Sequence, residues 1–188
     1  MDGQHQGCSG WGGAMGQGLY AKGDRPRSAA LYSPEERVRR DRSPWTLVQG
    51  ILAPVQFVVF LVSLGLVLRW LATGEGYLAA TVSIVAKTLV LYTIMITGAI
   101  WEKDVFGQYL FAGPFFWEDV VSMLVLALHT AYLVALATGA LDARGLMLLA
   151  LAAYATYVIN AAQFILKLRA ARLDAARESA VPAGVCAP

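Results

Sequence analysis

Residues 45–72 read WTLVQGILAPVQFVVFLVSLGLVLRWLA, a run whose only charged residue is Arg69. About 20 predominantly apolar residues in a helix, at 1.5 Å rise each, cross roughly 30 Å of hydrocarbon. A core helix of a soluble domain would carry a stripe of charged and polar residues along its length, whereas this run holds a single charge, close to its end. Working outward, Thr73-Gly74-Glu75-Gly76 has the composition of a tight turn, and a second apolar run covers residues 77–101. An acidic and aromatic connection, residues 102–114, leads to a third run over 115–138. A turn from Gly139 to Gly145 then leads to a fourth run over 146–166. Charged residues make up 15% of the 188 residues and hydrophobic ones 57%, against about 25% charged in soluble domains.

The sequence therefore predicts an all-α integral membrane protein, a four-transmembrane-helix bundle. A short N-terminal amphipathic, interfacial helix precedes it, opening at Ser33-Pro34-Glu35-Glu36 with an N-cap serine, proline at the first helical position and acids in the first turn. The membrane domain is expected over residues 31–172. Residues 1–30, rich in glycine and without an apolar run, read as a disordered extension, and residues 173–188 as a flexible tail. Cys8 and Cys186 lie in opposite tails, so no disulfide framework or metal-ligand spacing follows. The net charge of +2 and the lack of a basic patch interleaved with aromatics argue against a nucleic-acid partner; membrane lipid is the surrounding medium.

Orientation follows from basic residues near the span ends. With four spans, both termini and the 102–114 connection share one side, which carries Arg37, Arg39, Arg40, Arg42, Lys103, Lys167, Arg169 and Arg172. The other side has only Arg69 and Arg144. The expectation is a multi-pass protein of a bacterial inner membrane with both termini in the cytoplasm.

Ionisable groups within the spans are costly in lipid, so they usually face the bundle interior and often mark a functional site. Gln49 and Gln56 are seven residues apart on the first span, and Lys87 falls near the middle of the second. On the third, Glu118, Ser122, Val125, His129 and Tyr132 recur at helical spacing and form one stripe. Asn160, Gln163 and Lys167 share a face of the fourth. Together these faces predict a polar cleft open to the cytoplasm, roofed by Glu102, Lys103 and Asp104. Bland alternatives stand beside this reading: the amides serve as hydrogen bonds between helices, Lys167 snorkels to the interface, and Glu118 and Asp119 complement a helix dipole. Trp101, Phe106, Tyr109, Phe111, Phe115, Phe116 and Trp117 gather at the same end, as an interfacial belt or as the entrance for a flat aromatic ligand.

Several strings resemble the 2-vinyl bacteriochlorophyllide hydratases. They include Trp45-Thr46-Leu47-Val48-Gln49-Gly50, Gly74-Glu75-Gly76-Tyr77, Trp101-Glu102-Lys103-Asp104-Val105-Phe106-Gly107, Phe116-Trp117-Glu118-Asp119-Val120, His129-Thr130-Ala131-Tyr132 and Tyr157-Val158-Ile159-Asn160-Ala161-Ala162-Gln163-Phe164. The resemblance spans about residues 32–172. It implies a hydro-lyase that adds water across the C3 vinyl group of a chlorophyllide or bacteriochlorophyllide to give the 3-(1-hydroxyethyl) pigment. Water would be the co-substrate, no cofactor would be needed, and the magnesium would belong to the pigment. Other pigment-biosynthesis enzymes are expected neighbours.

Such chemistry needs a carboxylic acid that holds its proton in a desolvated site and a base to orient water. The candidates are Glu118 or Glu102 as acid, Asp119 or Asp104 as its charged neighbour, and His129 as base or axial magnesium ligand. Lys87, Gln49, Gln56, Asn160, Gln163, Trp101 and Trp117 are the expected substrate-binding residues. A non-catalytic pigment-binding or assembly protein of the photosynthetic membrane would share these helices without needing clustered carboxylates. A small transporter would use Lys87 and His129 along a path, but the chain shows no repeats or broken helices to support one.

The basic asymmetry gives a direct expectation. A reporter active only in the cytoplasm, fused to the C-terminus, should be active, and a periplasmic reporter at the same point silent. The opposite pattern overturns the orientation.

Overall fold

The computed structural model describes residues 31–180, so the glycine-rich extension, Cys8 and Cys186 lie outside the described residues. Five α-helices follow in order: α1 (Pro34–Arg42), α2 (Pro44–Thr73), α3 (Tyr77–Phe106), α4 (Phe116–Thr138) and α5 (Ala143–Ala180). A single 3-10 turn, Gly113–Phe115, precedes α4. No strand occurs among the described residues. Four segments are long and apolar enough to cross a membrane: Pro44–Thr73, Tyr77–Phe106, Gly113–Thr138 and Ala143–Leu173.

Local chemistry sets the boundaries. Ser33 and Glu36 form a reciprocal capping box at the start of α1, with Ser33 N–H donating to Glu36 Oε2 at 2.7 Å and Glu36 N–H to Ser33 Oγ at 3.2 Å. α2 stops where Gly74 takes a left-handed conformation (φ 75°) and its N–H reaches the Trp70 carbonyl at 2.7 Å. α3 runs through Glu102 and Asp104 to Phe106 and ends at Gly107 (φ 86°), so the acidic cluster expected in a connection sits on the last turn of a helix. α5 starts earlier than expected because Asp142 Oδ1 accepts from Gly145 N–H at 2.8 Å. It also continues through the region expected to be a flexible tail from 173, and is helical as far as Ala180. The alanines of that stretch are the strongest helix formers.

The helices pair as two close antiparallel hairpins, α2 with α3 and α4 with α5, while the α2–α5 and α3–α4 seams are looser. The half nearer the two short turns is solid: Val67, Ala80, Ile84, Tyr132 and Met147 are fully buried there. Ser63 hydrogen-bonds both Ser83 (2.8 Å) and the Tyr154 hydroxyl (2.6 Å), joining α2, α3 and α5. Phe60 packs edge-on against Tyr154, with ring centroids 5.4 Å apart. Outward-facing Leu47, Val58, Leu78 and Ile165 are exposed, as lipid-facing positions should be. The other end is built from aromatics: Phe115 stacks on Phe164 and meets Trp101 edge-on, and Tyr32 stacks on Phe106.

Removing the Tyr154 hydroxyl tests this hub. Tyr154→Phe should destabilise the detergent-solubilised protein by roughly 0.6–2 kcal/mol, the range of interhelical hydrogen bonds in membranes. An unchanged thermal midpoint would mean that the Ser63–Tyr154 bond holds nothing.

Candidate active site

Between the hairpins, at the aromatic end, the loose seams enclose a cavity of about 970 Å³. That is the upper end of the usual range for ligand pockets, about 300–1,000 Å³. Small residues of the wall, among them Gly50, Ala53, Gly98 and Ala161, leave the space that larger side chains would fill. Trp101, Phe115 and Phe164 supply flat apolar surface, and Gln49, Gln56, Glu102, Asp119, Ser122 and Asn160 supply the polar points.

Glu102, from the last turn of α3, and Asp119, from the first turn of α4, are both buried, and their carboxyl groups are near enough to interact. Carboxylate oxygens only accept, so these two carboxyl groups can bond each other directly only when one of them holds a proton. The loop that joins their helices also feeds the pair. Phe111 N–H donates to Asp119 Oδ2 at 2.7 Å, and the next amide, Ala112 N–H, donates to Glu102 Oε2 at 3.3 Å. Phe111 adopts φ 59°, uncommon for a bulky residue. That strained turn aims two successive amides at the two carboxyl groups, an arrangement that stabilises negative charge.

The remaining sequence-predicted residues divide into two groups. Gln49 Nε2 donates to Thr97 Oγ1 at 2.8 Å, and Trp101 Nε1 to Thr46 Oγ1 at 2.9 Å; both line the cavity. Gln56 is 2% exposed with both amide atoms unpaired, and Asn160 donates to Ser122 Oγ at 2.8 Å while its Oδ1 stays unpaired. Glu118 lies outside the wall, where Lys167 Nζ donates to it at 2.6 Å. Asp104 is exposed and faces Arg39 and Arg42 instead of Glu102. Gln163 is half-buried away from the cavity, and Trp117 is 70% exposed.

Lys87 and His129 meet each other, Nζ to Nε2, at 2.7 Å in the solid core. The Val125 carbonyl can only accept from His129 Nδ1 (2.8 Å), so a neutral ring carries its proton there and Nε2 accepts from Lys87. Neither residue belongs to the cavity wall. Lys87 Nζ sits 4.2 Å from the centroid of the Tyr157 ring, and Tyr157 does line the cavity. The predicted polar stripe thus exists, but helix packing splits it into a cavity wall and a closed Lys87–His129 pair.

Sequence reasoning missed the contribution of α1 and the end of α5. Tyr32, Arg37, Arg40 and Arg172 form the cavity rim. Arg40 lies 4.8 Å above the Tyr32 ring, and burial pushes the Tyr32 phenol above its usual value, which keeps that platform neutral. The three-residue spacing of Arg37 and Arg40 was the available signal.

Among the described residues no group of three or more His, Cys, Asp or Glu side chains is placed to hold a metal ion.

Fold and cavity together define a multi-pass helical membrane protein with an aromatic, ligand-sized cavity and a carboxyl pair in its wall. The profile of the 2-vinyl bacteriochlorophyllide hydratase family matches residues 32–170, and the chain belongs to that family. A relative named 2-vinyl bacteriochlorophyllide hydratase in Rhodobacter capsulatus is 70% identical over 155 residues, 82% of this chain and 90% of the relative. One of the same name in Cereibacter sphaeroides is 71% identical over 145 residues, 77% of this chain and 89% of its own length. No solved structure matches the chain.

The contrast between cavity-facing and enclosed groups is measurable by quenching of pigment fluorescence. Gln56→Leu should weaken pigment binding by about 2- to 10-fold, the value of one net hydrogen bond. Lys87→Met should leave affinity within about threefold, since Lys87 does not face the cavity. The reverse ranking would place the ligand against the Lys87–His129 pair.

Proposed function

We propose that this chain hydrates the C3 vinyl group of a bacteriochlorophyllide (the group numbered 2 in the family's name) and that the Glu102–Asp119 pair handles the protons. The observation that carries the reading is the placement of these two buried carboxyl groups together in the wall of an apolar cavity of about 970 Å³. Family membership supplies the reaction class.

The reaction is proton-neutral overall. The proton held between Glu102 and Asp119 moves to the terminal CH2 carbon of the vinyl group, whose π electrons form the new C–H bond. The positive charge left on the inner carbon is delocalised into the macrocycle. A water oxygen bonds to that carbon and gives up a proton to the carboxylate pair, which returns to its starting state. The product carries a CH(OH)CH3 group, and the reaction is a hydro-lyase step run toward addition. The Phe111 and Ala112 amides stabilise the pair at its most negative, between the two transfers. The unpaired amide atoms of Gln56 and Asn160 offer contacts to water or to polar groups of the pigment. Water is the only co-substrate in this scheme, which needs no further cofactor, and the pigment's magnesium enters with the substrate. The basic residues flanking the spans support a cavity that opens to the cytoplasm, where a membrane-held pigment passes between successive enzymes.

Incubating membranes that carry the protein with a 3-vinyl bacteriochlorophyllide should yield a product heavier by one water. Glu102→Gln and Asp119→Asn should each lower turnover by about 100- to 10,000-fold, the usual worth of acid–base assistance, with pigment affinity within a few-fold. Glu118→Gln should keep turnover within about fivefold of wild type, since it breaks an ion pair outside the wall. Pigment binding without any water addition would instead mark a non-catalytic pigment carrier. Loss of turnover in Glu118→Gln alone would move the proton donor to that residue.

A further inference from the structure

Among the described residues the cavity wall holds three side-chain amides, Gln49, Gln56 and Asn160. Gln49 is turned to α3, where its Nε2 donates to Thr97 Oγ1 at 2.8 Å. Gln56 and Asn160 each keep an unpaired oxygen, so both offer an acceptor to a donor inside the cavity. Helix register separates them. The Gln49–Thr97 and Ser63–Ser83 bonds set α2 against α3, which puts Gln56 level with Val90. Glu102 lies twelve residues further along α3, about 18 Å at the helical rise. Asn160 instead donates to Ser122 Oγ at 2.8 Å. Buried Ser122 stands three residues from Asp119 on α4, about 4.5 Å along the axis and on a neighbouring position of the helix surface. A base takes a proton only from a group within hydrogen-bond reach or one water away. Of the two free acceptors, only that of Asn160 meets this condition for the Glu102–Asp119 pair.

We propose that Asn160 and Ser122 seat the attacking water beside the carboxyl pair and thereby commit the protonated vinyl group to addition. The proposal rests on the hydratase reading, with Glu102 and Asp119 as the proton carriers. Ser122 Oγ accepts from Asn160 Nδ2 and keeps its own O–H to donate, while Asn160 Oδ1 can only accept. Water has two protons and two lone pairs, and this donor–acceptor couple engages one of each. The second proton then points to the carboxyl pair, and the second lone pair is left for the inner vinyl carbon. That lone pair forms the C–O bond, and the second proton passes to the carboxylate. The product is neutral, and the pair regains the proton it gave to the CH2 carbon. Without a seated water the cation has another exit. Its new methyl group loses a proton to the carboxylate, the C–H electrons restore the double bond, and the vinyl group re-forms. In D2O that return leaves deuterium on the terminal carbon.

The test uses the full chain in nanodiscs with a 3-vinyl bacteriochlorophyllide in D2O. At low conversion, hydrated product is measured alongside deuterium NMR of the vinyl CH2 group in recovered substrate. Asn160→Leu keeps the side-chain shape and loses the acceptor. It should lower hydration about 100-fold, the cost of a misplacement of about 1 Å. Deuterium exchanged per hydration should rise at least about tenfold, with pigment affinity by fluorescence quenching within about threefold. Asn160→Asp, which keeps an oxygen acceptor, should restore hydration to within about tenfold of wild type. Ser122→Ala removes one hydroxyl and should raise the same exchange ratio by about threefold or more. A purely structural role for Asn160 would lower hydration and exchange together, and that result overturns the proposal. So does an unchanged ratio in Ser122→Ala. A raised ratio in Gln56→Leu in place of Asn160→Leu also overturns it, since the water would then sit deeper. Equal hydration by wild type and Asn160→Leu removes the water site and leaves the reaction standing. Wild type that binds pigment with neither hydration nor exchange refutes the hydratase reading, and the water site with it.

Discussion

Inside a bilayer no water is at hand to satisfy a polar atom, and each unsatisfied group costs free energy that only a protein partner can offset. The organisation of this bundle follows from that constraint. Hydroxyls within the spans turn back onto their own helices, as when Thr88 and Thr130 donate to carbonyls four residues earlier. Ser63, Ser83 and Tyr154 satisfy one another, Lys87 meets His129, and Lys167 meets Glu118. The exceptions are informative. Both atoms of the Gln56 amide and Asn160 Oδ1 remain unpaired, and both residues face the same cavity. Ser43, Thr81, Tyr132 and Gln163 also hold a buried polar atom without a hydrogen-bond partner, but away from this cavity, so only the Gln56 and Asn160 atoms are placed to meet a ligand there.

The cavity exists because the two hairpins are close internally and looser toward each other. Each hairpin is closed by a short turn stopped by a left-handed glycine, Gly74 in one and Gly139 in the other, which holds its helices together near that end. The longer connection between α3 and α4 lies at the opposite end, and it carries the machinery. Its strained Phe111 and the following Ala112 place their amides on the carboxyl pair, so loop conformation and site chemistry are one feature. A positive φ at a phenylalanine is tolerated only where surrounding contacts compensate for it. Here the compensation includes the part-buried hydrogen bond from the Phe111 N–H to the Asp119 carboxyl.

Glu118 and Asp119 show how much one helical step decides. They are adjacent in sequence and both are buried, yet consecutive residues on a helix point about 100° apart. Asp119 therefore turns to Glu102 and the cavity, while Glu118 turns to Lys167 on α5. The same consideration separates Glu102 from Asp104, two residues on, which faces solvent and the arginines of α1.

Much of this was legible in the sequence. Apolar run length set the number and rough extent of the spans, because hydrocarbon thickness is a fixed ruler. Helical periodicity identified the buried stripe Glu118, Ser122, Val125, His129 and Tyr132, all of which are buried, because 3.6 residues per turn is local geometry. The strings around Trp101 and Trp117 pointed to the family to which the chain belongs. Tertiary structure alone decided which polar residues meet. Periodicity orients a side chain about its own helix axis, but the rotation and tilt of one helix against the next arise from packing across the whole bundle. Hence nothing in the spacing said that Lys87 would close on His129, that Glu102 would choose Asp119 over Asp104, or that arginines outside the apolar spans would rim the cavity.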